Sequence, residues 1–168
     1  MSRIRVLVVD DAVVVRRIVT EALAGVPDIE VVGTASNGRL GLARVVQLNP
    51  DVVTMDVEMP DMNGLDALSA LRKTHPRLPV IMFSTLTARG AAATLDALAR
   101  GASDYVTKPA NVGGGSASRD AVRDVLVPKI RALGRKAAPV QTPPPRLVED
   151  NRPPAPVELV VVGVSTGG

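Results

Sequence analysis

Three apolar runs in this chain each end on residues that can handle a phosphoryl group. The runs end at residues 9, 55 and 107, and the charged residues at these ends are Asp10 with Asp11, Asp56, and Lys108. If the runs are parallel strands of one open α/β sheet, their carboxyl ends meet at one edge. Three carboxylates would then face one ammonium group, and such a cluster needs a cation before it can accept an anion.

Carboxylates gathered at one sheet edge suit a hard cation. Asp10 and Asp11 are adjacent, so without a cation their repulsion raises the pKa of one carboxyl group. Adding Asp56 gives an all-oxygen ligand set, which is typical of Mg²⁺ bound by carboxylates together with phosphate oxygens. Asp10 or Asp11 alone could instead cap a helix, a common role of aspartate. Their combination with Asp56 and Lys108 favours a phosphoryl site with Mg²⁺ as its cofactor.

Five strand-like runs alternate with five segments of helical periodicity. The predicted pairs are 4–10 with 13–24, 30–35 with 40–48, 52–56 with 65–71, 80–84 with 91–100, and 105–107 with 121–133. Short connections between such units predict right-handed crossovers that place helices on both faces of one sheet. The predicted fold class is therefore a doubly wound, five-stranded parallel α/β sheet of the flavodoxin-like (βα)5 type.

The composition fits a globular α/β domain. The chain has 168 residues, of which 46% are hydrophobic, and it contains no cysteine and no tryptophan. An aliphatic core of this kind favours buried parallel strands. Residues 1–5 show no signal-peptide pattern, so we expect a cytoplasmic protein without membrane insertion. The net charge is only +3, and the late basic residues lack the pattern of a nucleic-acid-binding motif, so no nucleic-acid partner is expected.

The composition changes near residue 137. Residues 137–157 are rich in proline, which fixes the backbone and removes amide donors, so they are predicted to form an extended linker. Residues 158–168 contain an apolar run and then a Gly-x-Ser-x-Gly turn whose serine is Ser165, the spacing of a nucleophile elbow. They predict the first strand and turn of a second domain that is truncated here. A simple glycine-rich turn is the alternative for so short a pattern.

The ordered motifs of residues 3–136 resemble the receiver domains of two-component response regulators. The motifs that carry the resemblance are VVDD at 8–11, MDVEMP at 55–60, NG at 63–64, Ser84, and YVTKP at 105–109. The resemblance implies that Asp56 accepts a phosphoryl group from the phosphohistidine of a partner kinase. It also implies that Mg²⁺ is held by Asp10, Asp11, Asp56 and the backbone carbonyl of Glu58, with Asp10 acting through water.

The same resemblance implies roles for residues around the phosphoryl site. Ser84 would hydrogen-bond the phosphoryl group, and Lys108 would balance its charge. Tyr105 would rotate inward when Ser84 moves, although an aromatic residue at the edge of the core is an equal alternative. The peptide bond before Pro109 would be cis, a geometry that proline makes accessible. Thr85 is bulkier than the alanine or glycine often found at its position, so it is expected to change the lifetime of the phosphoryl group.

The receiver motifs, the linker and the Ser165 turn together resemble the chemotaxis protein-glutamate methylesterases, as do Gly38 and residues 84–87. This resemblance implies that Ser165 is the nucleophile toward a receptor glutamate methyl ester and that the receiver covers the active site until it is phosphorylated. The implied partners are a chemotaxis histidine kinase and methylated chemoreceptors. Serine hydrolysis needs a base, and the only histidine, His75, is predicted to end a receiver helix. The chain itself is therefore expected to lack esterase activity.

Three other classes remain as alternatives. A stand-alone or transcription-linked receiver would share the N-terminal domain but not the Ser165 turn. A metal-dependent aspartyl phosphatase also combines aspartate, Mg²⁺ and lysine, but it would carry an Asp-x-Asp motif where this chain has adjacent Asp10 and Asp11. A nucleotide-binding loop is suggested by residues 113–116, although no Gly-Lys-Ser/Thr sequence follows them.

Overall fold

The structure, a computed structural model, describes residues 2–85, 87–109 and 115–137, and for residues 136 and 137 it describes only the backbone. Strands and helices alternate along these residues, as the sequence predicts. In chain order they are β1 (Ile4–Val9), α1 (Val13–Ala24), β2 (Ile29–Ala35), α2 (Gly38–Leu48), β3 (Val52–Asp56), α3 (Gly64–Thr74), β4 (Val80–Ser84), α4 (Ala88–Ala99), β5 (Asp104–Thr107) and α5 (Ser116–Ala137).

The five strands form one parallel sheet in the order β2-β1-β3-β4-β5. Because β2 lies on one side of β1 and the later strands lie on the other, the direction of winding reverses between β1 and β3. Open α/β sheets bind ligands at the carboxyl ends of the strands beside such a switch point. The register pairs Val9 with Met55 and Ser84 with Thr107, so neighbouring strand ends lie level. The predicted doubly wound parallel fold is confirmed.

Two apolar clusters cover the two faces of the sheet. Successive residues of a strand point to opposite faces, so Val6 and Val8 belong to one cluster and Leu7 and Val9 to the other. Helices α1 and α5 pack on the first face, and helices α2, α3 and α4 pack on the second. Every residue of β3 and β4 is buried, as expected for central strands covered on both sides.

Capping side chains fix the starts of three helices. Asn37, Asn63 and Thr87 each accept a hydrogen bond from the amide three residues later. Gly101, with φ of 104°, follows the end of α4 in the left-handed region that glycine favours. The last helix runs from Ser116 to Ala137, whereas the sequence predicted 121–133. Its terminal turns lack the apolar stripe on which that prediction rested.

Several predicted segments lie outside the described residues. They are the linker beyond residue 137, the strand and turn at 158–168 with Ser165, and residues 113 and 114 of the glycine-rich segment at 113–116. Within the described ranges, no helix is long and apolar enough to span a bilayer.

Candidate functional site

Three strand ends bring the predicted acidic residues and the lysine together. Asp10 follows β1, Asp56 is the last residue of β3, and Lys108 follows β5. The Lys108 Nζ atom lies 2.9 Å from Asp56 Oδ1 and 3.2 Å from Asp10 Oδ2. One carboxylate oxygen each from Asp10, Asp11 and Asp56 lies within 4.8 Å of the others. We call these three residues the acidic cluster.

Burial controls the charge of the acidic cluster. The Asp10 and Asp56 residues are 2% and 3% exposed, whereas Asp11 is exposed to solvent. Burial, followed by the charge of Asp10, raises the pKa of Asp56 to about 7 against the opposing effect of Lys108. Burial also raises the pKa of Asp10, although a backbone hydrogen bond and Lys108 oppose it. Without a further cation, the cluster therefore does not carry its full charge at neutral pH.

Lys108 remains protonated beside these carboxylates. Burial alone would lower the pKa of Lys108. The hydrogen bonds with Asp56 and Asp10 and the negative charges of these residues outweigh burial, so the pKa is raised above its usual value. The Lys108 amide also donates to the Ser84 carbonyl oxygen over 2.7 Å, which ties the residue to the end of β4. The ammonium group is thus a permanent counter-charge for anions at this edge.

The prediction of a cis bond before Pro109 is wrong for this structure. No peptide bond within the described ranges is cis, so Lys108 and Pro109 are joined in the trans form. The trans form of such a bond is favoured by about 0.5–1 kcal/mol unless surrounding contacts oppose it. With this backbone, Lys108 Nζ reaches both Asp10 and Asp56.

Backbone amides orient the two buried carboxylates. The Ala12 amide donates to Asp10 Oδ1 over 2.9 Å, and the Glu58 amide lies 3.3 Å from Asp56 Oδ1 as a longer donor. Arg16 donates to the backbone carbonyl of Asp10 over 2.7 Å. The N-cap of α1 is Ala12, and no side chain caps that helix. Helix capping, the alternative role considered for Asp10 and Asp11, therefore does not account for these carboxylates.

The backbone of Asp56 approaches α3 closely enough to require a glycine. A β-carbon at residue 64 would overlap the carbonyl oxygen of Asp56. The Gly64 amide donates to the Val57 carbonyl over 2.9 Å, directly after the Asn63 cap. Gly64 therefore fixes the turn that carries Asp56 and the following residues.

The acidic cluster has the ligand chemistry of a divalent-cation site. Its ligand atoms are all carboxylate oxygens, which hard cations prefer, and the exposed Asp11 leaves one side open to water. A cavity of about 220 Å³ joins Asp11, Asp56, Glu58 and Lys108. Mg²⁺ keeps several water ligands, so a partly open cluster of this kind fits it. The ligand role of the Glu58 carbonyl stays a prediction.

Ser84 lies where two cavities meet. Ser84 and Asp56 both line the cavity of about 220 Å³. Ser84 also lines a second cavity of about 580 Å³, together with Thr94 and Tyr105. The Ser84 Oγ atom lies 3.0 Å from Thr94 Oγ1, and both side chains are buried. Tyr105 is 45% exposed and therefore lies at the surface of the domain. Its inward rotation stays a prediction.

Sequence reasoning missed two residues that contact the site. Thr94 contacts Ser84 because α4 packs against the end of β4. Arg16 contacts the Asp10 carbonyl because α1 approaches the backbone after β1. A threonine or an arginine within an amphipathic helix carries no local signal for either contact. The sequence could have flagged Thr94 only as a polar residue at a buried helical position.

The strand order and the acid–lysine arrangement together define a receiver-type α/β domain. The family model for the response regulator receiver domain matches residues 6–114. This chain belongs to that family. A solved structure of the response regulator domain of Thermotoga maritima CheB is 43% identical, with a TM-score of 0.70 over 79% of this chain and 97% of that one. The chain is therefore a receiver domain of the CheB type.

Curated relatives match the chain over its whole length. A protein-glutamate methylesterase/protein-glutamine glutaminase of Nocardioides sp. is 52% identical over 178 residues, covering 100% of this chain and 49% of the relative. The protein of the same name from Trichodesmium erythraeum is 45% identical over 176 residues, covering 100% and 50%. The chain thus spans about half the length of these relatives.

Proposed function

We propose that this chain is the phosphoaccepting switch of a chemotaxis response regulator and that phosphoryl transfer to Asp56 controls a protein-glutamate methylesterase domain. One observation carries the proposal: the buried Asp56 carboxylate lies 2.9 Å from the Lys108 ammonium and beside two further carboxylates at the switch point of the sheet. Membership of the receiver family supports it.

Asp56 supplies the nucleophile in this proposal. One oxygen of the ionised carboxylate attacks the phosphorus of a phosphohistidine on a histidine kinase. The phosphorus–nitrogen bond breaks, its electron pair leaves with the imidazole, and an acyl phosphate forms on Asp56. Because the pKa of Asp56 is about 7, a cation at the acidic cluster assists the reaction by favouring the ionised carboxylate.

The remaining site residues act on the transferred group. Mg²⁺ bound by Asp10, Asp11, Asp56 and the Glu58 carbonyl would supply positive charge to the phosphoryl oxygens. Lys108 adds a second positive charge from the β5 side, which stabilises the same oxygens. Ser84 donates a hydrogen bond to one of them. The inward movement of Tyr105 would follow that of Ser84.

The controlled domain is proposed from the relatives and from the motif at Ser165. In that domain Ser165 would attack the methyl ester of a glutamate on a chemoreceptor in the cytoplasm. Within these 168 residues the single histidine is His75, the C-cap of α3, whose Nδ1 lies 2.9 Å from Thr74 Oγ1. Apart from His75, these 168 residues contain no histidine that could act as the base for Ser165. We expect the 168-residue chain to leave methylated receptors unchanged, and ester hydrolysis by the purified chain would refute this.

Intact-mass spectrometry with a small phosphodonor tests the phosphoaccepting role. With Mg²⁺ and acetyl phosphate, the wild type should gain the mass of one phosphoryl group, and a chelator should prevent the gain. Asp56→Asn should gain nothing. Asp61→Asn is the matched control, because Asp61 is an exposed aspartate with φ of 66°, a conformation that asparagine also tolerates.

Two results would oppose the proposal. A mass gain retained in Asp56→Asn would remove Asp56 from its role. Repeated turnover of a phosphoester without accumulation of the phosphorylated chain would instead support the aspartyl phosphatase class.

A further inference from the structure

One arginine binds the backbone of the turn that carries two residues of the acidic cluster. Arg16 Nη1 donates to the Asp10 carbonyl over 2.7 Å and to the Asp11 carbonyl over 3.2 Å. The Arg16 amide donates to the Ala12 carbonyl over 3.1 Å. The amide and the guanidinium group of this residue therefore hold three consecutive carbonyl groups, those of the turn between β1 and α1.

The place of Arg16 in α1 is unfavourable for a cation unless such acceptors are present. Arg16 is the fourth residue of α1 and lies in its first turn. Unpaired amides give this end of a helix a partial positive charge, which repels a guanidinium group. The contacts of Arg16 with the two aspartate carbonyl groups offset this repulsion, so its position in the first turn is explained by the turn that it binds.

The contacts of Arg16 matter most for Asp11, because packing does little to hold this residue. Asp11 is exposed, whereas Asp10 is buried and accepts a hydrogen bond from the Ala12 amide. To share a cation, the Asp11 carboxylate has to stay within reach of the other two, and the three ligand oxygens here lie within 4.8 Å of one another. The position of a carboxylate follows from that of its backbone, and Arg16 binds the Asp11 backbone.

We propose that Arg16 is a positioning residue that holds the backbone of Asp10 and Asp11 in the conformation that binds a divalent cation, and thereby raises the affinity of the acidic cluster for Mg²⁺. The inference rests on the proposed function, which includes a Mg²⁺ site at these residues. A turn that is fixed before the cation arrives loses less conformational freedom on binding, so the affinity is higher. Groups that orient metal ligands in this way influence metal affinity without touching the metal.

A positive charge near a cation site also repels the cation, and this effect has the opposite sign. If Arg16 acted mainly through its charge, removal of the guanidinium group would strengthen Mg²⁺ binding. If Arg16 acts by fixing the turn, its removal weakens Mg²⁺ binding. The direction of the change therefore separates the two effects, and salt provides a second criterion because it screens the effect of charge.

The test is an NMR titration of the full 168-residue chain with MgCl₂, in low and in high salt. Arg16→Met keeps a long, unbranched side chain and removes the donors, so its Mg²⁺ dissociation constant should be roughly tenfold higher than that of wild type. The increase should persist in high salt. Arg17→Met is the matched control, because it removes the same charge from the next residue of α1, which pairs with Glu21 over 3.1 Å. Its dissociation constant should stay within about twofold of wild type.

The possible outcomes separate positioning from other effects. An unchanged or lower dissociation constant in Arg16→Met, an equal increase in Arg17→Met, or an increase that disappears in high salt overturns the inference. Loss of stability alone does not produce the expected increase, because the titration follows resonances of the folded chain. Failure of the wild type to bind Mg²⁺ contradicts the proposed metal site itself and removes the inference with it.

A measurement on the wild type covers the case in which Arg16→Met does not fold. In the metal-free chain, the Nε–H group of Arg16 should show a heteronuclear NOE close to that of the backbone, because the guanidinium group is bound before Mg²⁺ arrives. Arg39, an exposed arginine, serves as the reference for a mobile side chain. An Arg16 value as low as that of Arg39, or one that rises only after Mg²⁺ is added, overturns the inference.

Discussion

Asp10 and Asp56 share one ammonium group at the carboxyl edge of the sheet, and both are shielded from water. Two buried carboxylates beside a single cation are costly to keep ionised. Burial first, and the charge of Asp10 second, therefore raise the pKa of Asp56 to about 7. The same cost favours the binding of a second cation, so the chemistry of the proposed metal site follows from the burial of these two residues.

The stability of the metal-free chain should fall as the pH rises from about 4 to about 7. The folded-state pKa of Asp56, about 7, lies above its usual value of 3.8. Between these values the folded state binds a proton that the unfolded state has lost, so the stabilisation is complete below pH 3.8 and is lost as the pH rises through 7. Asp56→Asn should remove much of this dependence and raise the free energy of unfolding at pH 8 by about 1–2 kcal/mol.

Urea unfolding in the presence of a chelator, at pH 5 and pH 8, measures this difference. Asp61→Asn serves as the control and should keep the pH dependence of the wild type. Identical pH dependence in Asp56→Asn and wild type would show that burial does not raise the pKa of Asp56.

At the scale of the elements, the starts of helices hold the strand ends in place. The turn from β3 into α3 contains both the Asn63 cap and the close approach of Gly64 to Asp56. The turn from β4 into α4 repeats this arrangement with the Thr87 cap and the close approach of Gly90 to Thr85. Small residues at these two points let each helix begin directly against the backbone of the site.

Gly64→Ala should destabilise the fold by about 1–3 kcal/mol, because the added methyl group overlaps the Asp56 carbonyl and forces the backbone to move. It should also slow phosphorylation by acetyl phosphate, since the displaced backbone carries the acceptor. Gly25→Ala is the matched control: its β-carbon would meet only an Arg123 nitrogen at 3.9 Å, so its stability should stay within about 0.5 kcal/mol of wild type. Unfolding curves and phosphorylation time courses measure both effects, and equal behaviour of the two variants would contradict the argument.

The sequence predicted the order of the elements and the acidic residues at the ends of the inner strands. The inner strands β1 and β3 are covered on both faces and are almost continuous apolar runs, so Asp10 and Asp56 stand out at their ends. Lys108 follows the edge strand β5, which is partly exposed, so its place at the site depended on the alternation of strands and helices. The contact of Thr94 with Ser84 could not be predicted, because it depends on how α4 packs on the sheet. The form of the bond before Pro109 could not be decided either, since cis and trans differ by only about 0.5–1 kcal/mol before proline.

At the scale of the whole molecule, ion pairs join the last helix to both edges of the sheet. Arg131 of α5 lies 2.8 Å from Asp28, just before β2, and Lys129 lies 2.8 Å from Asp104 of β5. Together with the apolar face of α5, these pairs hold the final helix across one face of the domain.

The stabilisation from Asp28 should be lost in acid. The hydrogen bond from Arg131 holds the pKa of Asp28 below its usual value of 3.8. Its contribution is therefore complete above that value and is lost as the pH falls through the lower, folded-state pKa. Asp28→Asn should be less stable than wild type at pH 7, and the difference should shrink toward pH 2. Thermal unfolding measures this, with Glu30→Gln, a change at an exposed carboxyl group of β2, as the control; a difference that does not depend on pH would contradict the argument.

The central claim is that Asp56 is the residue that receives the phosphoryl group, and chemical mapping of the modified chain tests it most directly. The wild type is incubated with Mg²⁺ and acetyl phosphate and then treated with borohydride, which reduces an aspartyl phosphate to homoserine, before peptide mass spectrometry. We predict homoserine at position 56 alone, only when both Mg²⁺ and the phosphodonor are present, with Asp10 and Asp11 unmodified. Homoserine at another aspartate, or a phosphorylated chain without homoserine at position 56, would contradict the account.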